Sequence, residues 1–348
     1  MNLKEINVSI PASVLDSFGL SQSAHYEPIG SGHIHQTFLV TDAKQFILQR
    51  VNKSIFTEPE VIAANNRIAA EYLAIHSPTY LFLTALPDKM GNELAYDHDG
   101  FPWRLYPLIE NTITIDSVST ETEAFEAAKG FAKLTKNLDG IKCELVKPTL
   151  NQFHDLAWRY NQFETELATA SVDVKASVKE EIEAARNLSY LVDEYNDLIK
   201  SGALKERITH NDTKINNILF DKITQKAVCV IDLDTLMPGY FIYDLGDLVR
   251  TCVCPVSEEE ADVSKIEFRK NIYDAILTGY LSEMRESMSA AEITAVPFAG
   301  KMMTYIMALR FLADYLRGNT YYHITYPDQN KVRARNQLYL LNILTQLV

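Results

Sequence analysis

The 348-residue chain lacks the features that mark several large classes of protein. It has four cysteines, at 143, 229, 252 and 254, too few and too clustered for a secreted disulfide framework in a chain of this length. Cys252 and Cys254 form a CxC pair, but no matching Cys/His pair lies nearby, so buried thiols are expected rather than zinc. No apolar run approaches the roughly 18 residues of a membrane span. The first twenty residues lack a continuous apolar segment and do not read as a secretion signal. Positive charge is in deficit: 33 Lys and Arg stand against 46 Asp and Glu, a formal charge of −13, with no basic cluster to draw nucleic acid or anionic membrane. Internal repeats, low-complexity tracts and Gly/Ser linkers are also missing. These absences point to a cytoplasmic protein that works in water and binds neither nucleic acid nor membrane.

What is present is a foldable chain, 47% apolar and 23% charged, long enough for two lobes. Residues 26–50 read as three short β-runs, broken first by Gly30, Ser31 and Gly32 and then by the polar turn at 41–44. A helix is expected over 58–75, opened by Pro59, followed by strands at 81–86, 93–96 and 101–106, the last two joined by the turn DHDG. From residue 119 the period becomes helical, with Thr120 and Glu123 as a capping box, further helices over 150–170 and 174–200, and a small hairpin at 218–220 and 227–232. The fold class expected is α+β: a small antiparallel-sheet N-lobe with one main helix (1–106), a short connection without Gly or Ser (107–111), and a larger, mainly helical C-lobe (112–348).

The polar groups concentrate beside the hairpin. Within twenty-five residues stand His210, Asp212, Lys214, Asn217, Asp232 and Asp234, a density that is costly to bury merely to fill a core. Phosphoryl transfer needs oxygen ligands for a divalent cation and a carboxylate to orient the attacking hydroxyl, and this segment holds both.

His210-Asn211-Asp212 with Asn217 is similar to the HxDxxxxN loop of the protein-kinase-like superfamily, and Asp232 after a β-run is similar to its second metal-binding Asp. The loop reads HND rather than HRD and no APE-type element follows. The resemblance is therefore to the aminoglycoside phosphotransferase and choline kinase family, with a kinase-like bilobal fold. More finely, HNDTKINNILFD, VIDLDTLMPG, YDLGDLVR and RFLADYLRGNTYY resemble the N-acetylhexosamine 1-kinases of amino-sugar salvage.

That resemblance implies roles for particular residues. Asp212 would be the catalytic base and Lys214 would neutralise the transferring phosphoryl group. Asn217 and Asp232 would hold Mg²⁺, with ATP as donor. Asp234 is an additional metal ligand, an outer carboxylate or a strand-end turn former. His210 and Asp244 would brace the loop, and Asp247 would cap the helix that follows. Gly30, Ser31 and Gly32 are similar to a glycine-rich phosphate loop. The strand lysine is missing: where a kinase has VAIK, this chain has FILQRV, leaving Gln49 or Arg50 according to register. Glu60 and Glu71 are candidates for the partner acid, with a surface role favoured for both. An adenine would meet backbone groups between Tyr106 and Ile109.

For the acceptor, Arg310, Asp314 and Arg317 recur at helical spacing, and Tyr321 or Tyr322 can stack on a sugar face. His33 and His35 are further candidates. The resemblance implies a sugar 1-kinase acting on N-acetylglucosamine or N-acetylgalactosamine. Kinases of the same fold acting on an aminoglycoside, choline or homoserine are the alternatives. Choline is disfavoured because the late segment has no Trp, both lying earlier at 103 and 158. The missing lysine also admits a pseudokinase that binds nucleotide without transfer, against which the retention of Asp212, Asn217 and Asp232 argues.

Overall fold

Strand alternation organises the first part of the chain and helix packing the second. The computed structural model describes residues 9–29 and 34–348 and divides into two units, Met1–Asn111 and Thr112–Val348. Gly30, Ser31, Gly32 and His33 lie outside the described residues.

In the first unit, a short helix α1 (Ala12–Ser17) precedes β1 (His25–Pro28), β2 (Gln36–Thr41) and β3 (Gln45–Arg50). The helix α2 (Pro59–His76) follows, with Pro59 in its first turn, and then β4 (Ala95–Tyr96) and β5 (Pro102–Pro107). The strands form one antiparallel sheet in the order β1-β2-β3-β5-β4. Phe38, Val40, Leu48, Trp103 and Leu105 share one face and close over Val14 and Leu15. The opposite face carries Gln49 and Arg104, which are register partners. The strand expected over 81–86 is reduced to a single bridge, Leu86 to Leu105. In that antiparallel register residues 81–83 would fall beyond Pro107, where β5 has already ended.

The second unit opens with β6 (Thr112–Ile113) and α3 (Glu121–Leu138). The capping box forms as expected: Thr120 Oγ1 accepts the Glu123 amide and Glu123 returns a carboxylate to the Thr120 amide. The next helix, α4 (Leu156–Thr169), starts later than expected because the Asp155 side chain caps it, leaving residues 150–155 as a loop. The single helix expected over 174–200 is three: α5 (Val172–Ser177), α6 (Lys179–Asn187) and α7 (Tyr190–Lys200). At about 100° per residue, Leu191 and Tyr195 would point more than about 100° away from the stripe of Val178, Ile182 and Ala185 on one straight helix. All five are buried, so the chain breaks and reorients between them.

Then follow β7 (Arg207–Thr209), β8 (Ile218–Asp221), β9 (Ala227–Val230), β10 (Met237–Gly239) and α8 (Phe241–Cys252). The hairpin of β8 and β9 gains β6 as a third strand, and β10 pairs with β7. The helices α9 (Lys270–Met284), α10 (Ala290–Arg317) and α11 (Gln329–Leu347) complete the unit. The long α10 packs against α4, α8 and α11. Gly246 permits the approach of α8 to α10, since a Cβ there would stand 2.3 Å from the Ala299 carbonyl oxygen. No helix among the described residues is long and apolar enough to cross a membrane.

Candidate active site

The polar cluster is built on three adjacent strand ends of the second unit. From β7 the chain enters the loop 210–214, passes through a short 3₁₀ turn, Ile215–Asn217, and runs into β8. Asn211 and Asp232 both adopt left-handed backbone conformations, with φ of 66° and 58°. Such values are uncommon outside glycine, and Asn and Asp are the residues that tolerate them best.

Buried partners hold the loop in that shape. Asp244, one turn into α8, accepts the backbone amides of His210 at 3.1 Å and Asn211 at 2.7 Å, while its own carbonyl accepts the Thr213 hydroxyl at 2.7 Å. His210 Nε2 donates to the Ile231 carbonyl at 2.9 Å and Nδ1 accepts the Asp212 amide at 3.2 Å. The Asn211 amide group donates to the carbonyls of Thr209, Thr235 and Met237. His154, which the sequence did not single out, donates from Nε2 to the Asn211 carbonyl at 2.7 Å. Burial, reinforced by Arg310 and Arg159, pushes its pKa down to about 3, so the ring is neutral.

These braces present Asp212, whose side chain is 21% exposed, with Lys214 Nζ 3.1 Å from Oδ1. Asn217 Nδ2 donates to the Asp212 carbonyl at 2.9 Å and to Oδ2 at 3.3 Å. Burial opposes the Asp212 charge, but Lys214 foremost outweighs it and holds the carboxyl below the ordinary Asp range. The same attraction to Asp212, against burial, raises Lys214 above its ordinary value. Ile231 donates its amide to the Asn217 carbonyl at 2.9 Å, which sets Asp232 beside Asn217. Asp232 and buried Asp234 offer carboxylate oxygens within 4.8 Å of each other. These two carboxylates and the amide oxygen of Asn217 are hard oxygen donors, of the kind that suit Mg²⁺ or Ca²⁺.

Asp247 does not cap a helix. It lies inside α8, buried, with Arg250 Nε donating to it at 2.7 Å and Arg250 Nη1 donating to Glu258 at 2.9 Å. The helix starts seven residues earlier than a cap at 247 would require, because Phe241, Leu245 and Leu248 must all be buried.

A second concavity, of about 250 Å³, opens beside this loop, with Phe153, Trp158, Arg159, Arg310, Tyr321 and Tyr322 in its wall. Phe153 adjoins His154 and so ties the cavity to the 210–214 loop. The Arg310 guanidinium lies 5.0 Å from the Phe153 ring, 5.8 Å from Tyr321 and 5.5 Å from Tyr322. The buried Tyr322 hydroxyl has no hydrogen-bond partner. Asp314 shares the wall, but its part differs from the direct contact expected. Oδ1 accepts the amides of Thr320 and Tyr321, and Oδ2 accepts the Tyr322 amide and Asn330 Nδ2. Four donors fill a carboxylate's capacity, so Asp314 holds the loop bearing the two tyrosines. Arg317 is occupied by Glu166. Trp158 belongs to this wall, which removes the argument against a cationic acceptor drawn from the lack of Trp in the late segment.

In the first unit, Gln49 and Arg50 face opposite sides of the sheet. Gln49 Oε1 accepts from Arg104, whereas Arg50 lies 3.6 Å over the Phe101 ring, donates to Gln36 and comes within 3.8 Å of Asp97. Tyr106 lies on the Gln49 side of β5, and Ile109 lies in the segment after that strand. His35 Nδ1 accepts the Asn52 amide at 3.1 Å, with its ring stacked on Phe56. Glu60 accepts from Tyr96, while Glu71 lines a cavity with Arg104.

Residues 25–290 match the model of the APH family, the phosphotransferase enzyme family. The chain belongs to that family. It is a small-molecule phosphotransferase, and the N-lobe sheet and helical C-lobe are those of a kinase-like fold. Solved structures agree at the level of fold. A microcompartment-associated aminopropanol kinase superposes with a TM-score of 0.65 at 15% identity, covering 96% of this chain and 95% of that one. An amicoumacin kinase in complex with AMP-PNP, Ca²⁺ and Ami gives 0.62 at 14%, covering 96% and 95%. An aminoglycoside phosphotransferase from Alicyclobacillus acidocaldarius gives 0.62 at 12%, covering 97% and 96%.

Proposed function

We propose that this phosphotransferase moves the γ-phosphate of ATP to the anomeric hydroxyl of an N-acetylhexosamine, releasing the sugar 1-phosphate. The observation that carries the reading is the continuity from Asp212 through Asn211, His154 and Phe153 to the cavity walled by Arg310 and Tyr321. A hexosamine presents hydroxyls and an acetamido oxygen on one side and an apolar C–H face on the other. Guanidinium donors suit the first and aromatic rings the second. Arg159, pushed down to about 10 by burial and by Arg310, marks the cavity as rich in positive charge. An amino alcohol, choline or an aminoglycoside would bring a further cation against both guanidinium groups.

Asp212 accepts a hydrogen bond from the acceptor hydroxyl and takes its proton late. A carboxylate held below its usual range is a weak base, and an ionised, fixed one is a good orienting group. Lys214 lies beside it to offset charge gathering on the phosphoryl oxygens. Asn217, Asp232 and Asp234 would hold Mg²⁺, whose charge neutralises the phosphates when bound. Residues 1–106 would bind the nucleotide, with 107–111 as the connection and 112–348 carrying the catalytic loop and acceptor cavity. The four free thiols, three of them buried, suit a reducing cytoplasm.

The test is ATP consumption with Mg²⁺ over a panel of acceptors, with product identified by NMR. Turnover with N-acetylglucosamine or N-acetylgalactosamine giving a 1-phosphate is expected. Turnover confined to choline, homoserine, aminopropanol or aminoglycosides would refute the acceptor assignment.

A further inference from the structure

We propose that the acceptor carries an oxyanion, a carboxylate or a sulfate ester on the hexosamine ring, and that Arg159 and Arg310 receive it. The inference deepens the sugar kinase reading and rests on it. Both guanidinium groups are half-buried and stand in the wall of the 250 Å³ cavity, one from the start of α4 and one from α10. Other arginines of this unit meet a carboxylate: Arg207 meets Glu292, Arg250 meets Asp247 and Glu258, and Arg317 meets Glu166. Arg159 and Arg310 form no such pair among the described residues. Arg159 donates from Nε and Nη2 to the Phe153 carbonyl, at 3.3 and 3.1 Å, and from Nη1 to Gln162 Oε1 at 3.1 Å. Arg310 Nη1 meets the Met307 sulfur at 3.6 Å, and its guanidinium lies against the rings of Phe153, Tyr321 and Tyr322. A carbonyl, an amide, a thioether and aromatic rings are neutral partners. They fix both planes and leave both charges without a directly paired anion.

The rest of the wall adds a donor and no open carboxylate. The Tyr322 hydroxyl is buried without a hydrogen-bond partner, and burial raises its pKa, so it holds a proton to donate. Asp314 is the one carboxylate among the described residues of the wall, and its oxygens are taken by the amides of 320–322 and by Asn330. Charge arithmetic selects the ligand. Arg317 cancels Glu166, and Asp314 offsets one of the two remaining cations, which leaves one positive charge for a monoanion. Holding two like charges partly out of water is costly, and an anion between them relieves both burial and repulsion. A neutral N-acetylhexosamine offers oxygens that accept hydrogen bonds but cancel no charge. A carboxylate or sulfate presents two oxygens to the planar guanidinium fork and neutralises it as well.

The test measures kcat/KM at saturating Mg·ATP for N-acetylglucosamine, N-acetylgalactosamine and three acidic derivatives. These are N-acetylmuramic acid, with a carboxylate on O3, N-acetylgalactosamine 4-sulfate and N-acetylglucosamine 6-sulfate. They cover the ring positions left once C1 reacts and C2 bears the acetamide. At least one acidic sugar is expected to exceed its neutral parent by about tenfold or more, and which one does so tells carboxylate from sulfate. Arg310→Met is expected to bring that preference to within about threefold of unity, with Arg310→Lys, which keeps the charge and loses the fork, intermediate. The proposal is overturned if no acidic sugar reaches that factor, or if the preference survives Arg310→Met. Should Arg310→Met not fold, wild type decides: raising KCl from about 50 to about 500 mM is expected to cut the preference at least about threefold, and an unchanged preference overturns the proposal. Turnover of the neutral sugars with no gain from any acid defeats the anion and leaves the hexosamine reading standing. No turnover with any of these sugars defeats that reading, and the proposal with it.

Discussion

The backbone amide of Asn211 donates to Asp244 Oδ1 at 2.7 Å, across 33 positions of sequence, and the same carboxylate takes the amide of His210 at 3.1 Å. Asp244 is fully buried, and burial raises its pKa even though two backbone donors favour its charge. It therefore fixes the left-handed turn at Asn211 from beneath. Asp244→Asn would set an amide N–H₂ against one of those donors and is expected to cost about 2–3 kcal/mol in urea unfolding. It should also lower kcat with little change in either KM, because the loop shifts while the binding cavities remain.

Asp212→Asn should leave ATP affinity within about threefold of wild type and lower kcat at least about a thousandfold, since the amide cannot take the hydroxyl proton. Asp232→Ala should weaken Mg·ATP as well as turnover. Titration calorimetry alongside initial rates separates the two. Equal turnover in wild type and Asp212→Asn would refute the role given to Asp212.

His154 offers a pH signature. Its pKa is about 3 in the folded protein, against roughly 6.5 for an unfolded His. Below pH 6.5 the unfolded chain binds a proton that the native state does not, so stability rises with pH through that window and falls as pH drops from 6.5 toward 3. Between pH 7 and 5 the wild type should lose about 2 kcal/mol more than His154→Gln, which keeps a donor for the Asn211 carbonyl without titrating. Urea unfolding of both proteins at the two pH values measures the difference. Parallel losses would remove His154 from the account.

Arg310 and Asp314 share one cavity wall but should fail in different ways. Arg310→Met removes donors facing the acceptor and is expected to raise the sugar KM about tenfold or more, leaving the ATP KM unchanged. Asp314→Asn withdraws an acceptor from the amides of the 320–322 loop, so the same rise in KM should come with a loss of stability of about 1–3 kcal/mol. Steady-state kinetics paired with thermal melts tell contact from support.

The HND loop, the spacing to Asn217 and the return at Asp232 were legible because they are local: a strand, a tight turn and a hairpin bring together residues already close in the chain. The Thr120–Glu123 cap and the hairpin at 218–230 were legible for the same reason. The expected strand over 81–86 and the continuous helix over 174–200 misled, because both depended on what the rest of the fold left available. One ran past the end of β5, and the other had to turn two apolar stripes toward one core.

By itself, then, the sequence determined the chemistry on offer: a carboxylate, a lysine, three oxygen donors and a late run of Arg, Asp and Tyr. Tertiary structure alone decided which distant groups join them. His154 reaches the Asn211 carbonyl from the loop that precedes α4, and Trp158 reaches the cavity wall from the first turn of that helix. Gln49 and Arg50 could be told apart only by pairing, since neighbouring residues on a strand face opposite ways and the partner strand sets which face is which. That pairing sets Arg104 beside Gln49, 55 positions apart in the chain, a contact that no spacing rule reaches.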